Sequence, residues 1–91
     1  MDANRQKWLP DSYCDGREAT IINVAVQENS NMVLLYLQVS GDNEIYNLSI
    51  FGRNRNYLRY IYGNDIDKWV SKVIHVKITH LFMGKKIREV F

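Results

Sequence analysis

The chain is poor in the residues that staple or interrupt a fold: one cysteine, Cys14, and one proline, Pro10, occur in 91 residues. A single thiol excludes a disulfide framework and a cysteine-based zinc cluster, and it suits a reducing, intracellular (cytoplasmic) setting. The longest apolar run, Met32 to Leu37, is strand-sized and far short of a membrane span. No apolar stretch follows a positive charge within residues 1–6, so no export signal is expected, and the sequon Asn47-Leu48-Ser49 reads as chance. Histidine is scarce too. His80 lies beyond a strand that carries His75 and ends at Thr79, the two would face opposite ways even on one strand, and no further ligands converge in sequence, so no metal site is expected. A phosphate-cradling glycine-rich loop is missing, and the lone Cys14 reads as a small side chain rather than a nucleophile. Neither enzymatic activity nor a cofactor is expected from such a set.

What is present is an ordinary globular composition, 46% hydrophobic and 24% charged, in a length that suits one domain with a thin core. Net charge is only +2, but it is unevenly spread. Residues 1–52 carry three basic against seven acidic groups, a net −4, whereas residues 53–91 carry nine against three, a net +6. That asymmetry predicts a basic face able to attract phosphate.

Residues 1–17 read as an irregular extension, polar apart from Trp8, Leu9 and Tyr13, with Pro10 and Gly16 as breakers. From residue 18 to 91 the periodicity describes one barrel domain. Glu18 to Val26 alternates, with Ile22, Val24 and Val26 on one face and Ile21, Asn23 and Ala25 on the other. Met32 to Ser40 is the second strand, with Val33, Leu35, Leu37 and Val39 inward and Leu34, Tyr36 and Gln38 outward. A hairpin signal at Gly41-Asp42-Asn43 leads into the third, Glu44 to Phe51, which sets Tyr46, Leu48 and Ile50 against Ile45, Asn47, Ser49 and Phe51. The period then changes. Asn54 is placed to cap a helix running to Tyr62 with Leu58, Ile61 and Tyr62 on its apolar stripe, Gly63 stops it, and Asp65 caps a short turn containing Ile66, Trp69 and Val70. Period two returns at Lys72 for a fourth strand, with Ile74, Val76 and Ile78 on one face and His75, Lys77 and Thr79 on the other. A loop over 80–85 and a fifth strand, Lys86 to Phe91, follow.

The expected fold class is therefore mainly β: a five-stranded Greek-key barrel of order β-β-β-α-β-β, with one helix between strands three and four. That is the order of the OB-fold. The residues Asn56, Leu58, Gly63, Asp65, Trp69, Lys72, Val73 and Val76 sharpen the match. They resemble the pattern N-x-L-x(4)-G-x-D-x(3)-W-x-x-K-x-x-x-V of small OB-fold proteins from phages, plasmids and other mobile elements. The resemblance covers about a quarter of the chain, roughly residues 52–76, and departs from the pattern at Ser71, where glycine often precedes the lysine. It implies single-stranded DNA binding, with RNA as the other candidate, or a replication role beside a replication protein. Leu58 and Trp69 read physically as packing residues, Gly63 as a turn and Asp65 as a cap.

OB-folds bind oligonucleotides on the outer face of strands two and three, flanked by the loops between strands one and two and between four and five. On this chain those places hold Tyr36, Asn47 and Phe51, then Arg53 and Arg55 at the helix entry, Lys77 on strand four, and Phe82, Lys85, Lys86 and Arg88 in and after the last loop. Tyr36, Phe51 and Phe82 can stack on bases and the cations can meet phosphates, a combination that binds single strands with little sequence preference. The alternative is a protein-interaction module that docks through Ile21, Leu34, Ile45 and Phe51, with Trp8 and Leu9 as an anchor.

Overall fold

The computed structural model describes residues 7–26, 31–80 and 82–91, with Phe82 in backbone only. Five strands form one sheet: β1 (Asp15–Val26), β2 (Val33–Val39), β3 (Ile45–Ile50), β4 (Val73–His80) and β5 (Lys86–Val90). The helix α1 (Gly52–Tyr62) lies between β3 and β4, as the change of period predicts, and short 3-10 turns cover Asp11–Tyr13, Ile66–Trp69 and Phe82–Gly84. The strand order is β3-β2-β1-β4-β5 with every pair antiparallel, and the sheet curls into a half-barrel. No helix among the described residues is long and apolar enough to cross a membrane.

Closure of the barrel is incomplete. Among the described residues no ladder joins β3 to β5, so both remain edge strands, and each edge is partly covered in another way. Residues 7–9 run beside β3, where the Asn47 N–H donates to Lys7 O at 2.8 Å and the Leu9 N–H to Asn47 O at 3.0 Å. On β5 the cover is a single side chain. Asn54 Nδ2 donates to Arg88 O at 2.6 Å and Asn54 Oδ1 accepts from the Val90 N–H at 3.0 Å, the two bonds that a neighbouring strand residue would supply. Asn54 is thus not the helix cap that its position suggests. The helix begins two residues earlier, at Gly52, whose φ of +56° makes the corner out of β3.

The alternation predicted for β1 breaks at Ile22. Register with β2 shifts between Ile21 and Asn23, so Ala19 and Ile21 face inward before the bulge and Val24 faces the core after it. Ile21 is consequently completely buried, and Leu34 is 9% exposed although it lies opposite Ser49 on the outer face. The four-residue docking patch is reduced to Ile45 and Phe51.

Beneath the sheet, Leu58 from α1 and Trp69 from the following turn pack against Ile21, Leu35, Leu37, Ile50, Ile74 and Val76, together with Leu9. Gly63 ends α1 at φ +96°, and Asp65 accepts from the Asp67 N–H at 3.2 Å. Beyond Trp69 the chain reverses into β4 through Ser71, held at φ +77° by the bond from its N–H to Ile21 O at 2.7 Å. The turn forms, but with serine in a conformation that costs an L-residue roughly 1–2 kcal/mol. Ser71→Gly relieves that cost and adds some unfolded-chain entropy, so it should stabilise the domain by about 0.5–1 kcal/mol, a melting temperature higher by roughly 3–6 °C. A thermal melt followed by circular dichroism checks it.

Candidate functional site

The ladder registers align four residues across the outer face. Asn23 pairs with Tyr36, Tyr36 with Asn47, and Asn47 with Trp8. Asn47 directs its N–H and C=O to residues 7–9, so Tyr36 and Asn47 form a non-hydrogen-bonded pair, the closer kind. The row sets two aromatic side chains on either side of a buried asparagine: Tyr36 is half-buried and Trp8 is 54% exposed. Trp8 is the member that periodicity misses. A single bridge has no period, and the only signal is an apolar Trp-Leu pair in an otherwise polar stretch.

Next to this row, the seam between β3 and β5 opens as a cleft of about 560 Å³. Leu48 and Ile87 supply apolar wall, Trp8 and Phe51 the aromatic surface, and Arg53, Lys86 and Arg88 the positive charge, with Glu89 as the one carboxylate in the lining. Phe51, the residue before α1, is 63% exposed. Arg88 Nη2 donates to Asp11 Oδ1 at 2.9 Å and Lys86 Nζ lies 4.0 Å from Asp11 Oδ2. The bond from Arg88 holds the Asp11 carboxyl below its ordinary value, with the charges of Arg88 and Lys86 acting in the same direction. Arg53 and Lys85 have no carboxylate partner among the described residues, and both are exposed.

The structure therefore gathers Phe51, Arg53, Lys86 and Arg88 around one opening and sets Tyr36 on the adjoining row. It does not bring in the others. Arg55 donates to Asn31 O at 3.3 Å. Lys77 lies on the outer side of β4, 3.9 Å from Glu89 and 4.9 Å from the centre of the Phe91 ring. Asn47 is 4% exposed and offers little surface to a ligand. Lys85 stands at the turn before β5, and the Phe82 side chain lies outside the described residues.

A second polar cluster fixes the strap that carries Trp8. The hydroxyls of Tyr13 and Tyr46 both donate to Asp42 Oδ2, at 2.6 and 2.7 Å, and the Glu44 N–H donates to Asp42 Oδ1 at 2.8 Å. The two rings meet edge to face at 5.4 Å, and the Arg17 guanidinium lies over Tyr13 at 4.7 Å. These bonds, that from Tyr13 first, hold the Asp42 carboxyl down at about 2, and they push the Tyr46 hydroxyl above its usual range. Because the folded-state value is depressed, the carboxylate's contribution is complete above about pH 4 and is lost as pH falls towards 2. Stability should therefore decline over that window. Asp42→Asn should make the decline shallower without abolishing it, because Asp15, held at about 2 by Arg17, titrates in the same range. Urea midpoints measured from pH 5 to pH 2 test this.

Elsewhere, Cys14 is buried, with Sγ 3.6 Å from Pro10 O, and burial pushes its thiol up. His75 Nδ1 lies 2.8 Å from Gly16 O, with its ring stacked on Phe91. No cluster of three or more metal-ligating side chains occurs among the described residues. Neither a known protein family, nor a curated protein, nor a solved structure matches the chain.

Proposed function

We propose that this chain is an OB-type module that binds single-stranded nucleic acid, DNA in the first instance, with little sequence preference. The observation that carries the reading is the convergence of exposed Trp8 and Phe51 with Arg53, Lys86 and Arg88 at one opening beside the Tyr36 row. Aromatic surface next to cations is what a single strand requires, since bases stack on the rings while phosphates meet the charges. The chain's net +2, made up of +6 over residues 53–91 and −4 over residues 1–52, gives the same sign, weakly, to the longer-range field. Strand order, the helix between β3 and β4, and the sequence pattern around Leu58, Gly63, Asp65 and Trp69 support the OB assignment; an accessory role in replication or recombination of a mobile element rests on the resemblance of that pattern alone. The docking alternative needs Ile21 and Leu34 at the surface, and both are buried.

The test is a titration of fluorescently labelled oligo-dT at low and at high salt. Binding at low salt that weakens steeply as salt rises is expected, and a lack of binding even at the lowest salt rules the reading out.

A further inference from the structure

The seam between β3 and β5 is a gap in the barrel wall, and its chemistry is specific. Backbone alternation shows which polar groups face it. Asn47 gives its N–H and C=O to residues 7–9, so Leu48 turns its own towards β2 and Ser49 turns its own towards the seam. On the opposite wall, His75 and Phe91 exchange both bonds, so Lys86, Arg88 and Val90 present their backbone groups to the seam. Asn54 takes Arg88 O and the Val90 N–H. The groups left without a partner among the described residues include the Ser49 N–H and C=O on one wall, and the Arg88 N–H and Lys86 C=O on the other. The seam thus combines flat apolar walls, unused donors and acceptors, and a rim of three cations against one carboxylate, Glu89, in a volume of about 560 Å³ that lies within the usual range for small-ligand sites.

We infer that this seam is a nucleobase site: one base of a bound single strand leaves the outer face at Trp8 and lodges against Trp8 and Phe51, its phosphate held by Arg53 and Lys86. This rests on the single-strand reading above and goes beyond it, because it takes the strand across the opening of the barrel instead of along the outer face of β2 and β3. A nucleotide is the ligand that brings a flat ring, hydrogen-bonding edges and an anion together. Asp11 already supplies a carboxylate to Lys86 and Arg88, which shows the charge these side chains accept. A bound phosphate displaces Asp11 from Lys86.

The full chain is titrated with oligo-dT of about 16 nucleotides, the upper site size for one such module, with tryptophan emission and the anisotropy of labelled dT read in parallel. Trp69 is fully buried, so an emission change on binding reports Trp8. Expected are quenching of that emission, loss of at least about fivefold in affinity for Trp8→Ala, and recovery of most of it in Trp8→Phe, which keeps a stacking ring. Lys72→Gln, which removes a cation lying over Tyr62 and away from the cleft, should change affinity by less than about twofold. Unchanged affinity in Trp8→Ala together with unquenched emission overturns the seam site and leaves the single-strand reading standing. Competition by poly-glutamate as effective as by unlabelled dT also overturns it, since charge alone would then hold the ligand. Wild-type protein that binds no dT at the lowest salt removes the reading itself.

Discussion

Trp69→Ala should lower the unfolding free energy by about 3–5 kcal/mol, the range for removing a large buried aromatic. The side chain is completely buried and its indole N–H donates to Gly63 O at 2.9 Å. It therefore ties the turn after α1 to the end of that helix while filling the space under the sheet. The turn that carries it touches both β1 and α1, so the lost volume opens between three elements, none of which can collapse without moving the others. Single domains have about 5–15 kcal/mol in total, and a chain of this size sits low in that range. The variant should accordingly be partly unfolded at room temperature, or show a urea midpoint shifted by a third or more of the parent value at an unchanged slope. Trp69→Phe keeps most of the volume and leaves Gly63 O without its donor, and should cost about 1–2 kcal/mol. An alanine variant within 1 kcal/mol of the parent would show that the barrel closes below without its plug.

The same residue shows which parts of the fold are legible in sequence. Trp69, Leu58, Gly63 and Asp65 act at short range, through a turn, a cap and a stripe of apolar side chains, and their roles follow from spacing. The strands β2 and β4 keep their alternation, so their inward faces follow as well. What escapes is what depends on a neighbour distant in sequence. The bulge at Ile22 lies just beyond Ala19 and Thr20, where β1 pairs with β2 and β4 at once, and nothing in the local apolar pattern marks the slip. Asn54 has a good cap residue's chemistry, but β5 lies beside it and takes both ends of its amide. Trp8 joins the outer face through one backbone bridge. In the candidate site, Phe51, Arg53, Lys86 and Arg88 are legible because their types announce the chemistry. The cleft that gathers them depends on a barrel that stops short of closing.

That division leads to the second large effect, on binding. If Arg53 and Lys86 at the opening, and Lys85 at the turn just before it, each neutralise one phosphate, the log of the binding constant should fall with the log of salt at a slope of about −2, following roughly −0.7 per contact for single strands. A fourfold rise in salt then weakens oligo-dT binding by roughly 20-fold. Replacing all three by glutamine should flatten the slope towards zero and reduce affinity at low salt by tenfold or more. The three side chains are exposed, and Arg53 and Lys85 hold no carboxylate among the described residues, so the fold should survive the change. Lys77→Gln is the matched control, because that cation already faces Glu89 on the outer side of β4. Asp11→Asn should act in the opposite direction. It removes the carboxylate that faces Lys86 and Arg88, freeing two cations for phosphate, so affinity at low salt should rise several-fold and the slope should steepen by about one further contact. A triple variant with the parent's slope would place the phosphates elsewhere on the surface. An Asp11→Asn variant with unchanged affinity would mean that the Asp11 pairs do not compete with nucleic acid at all.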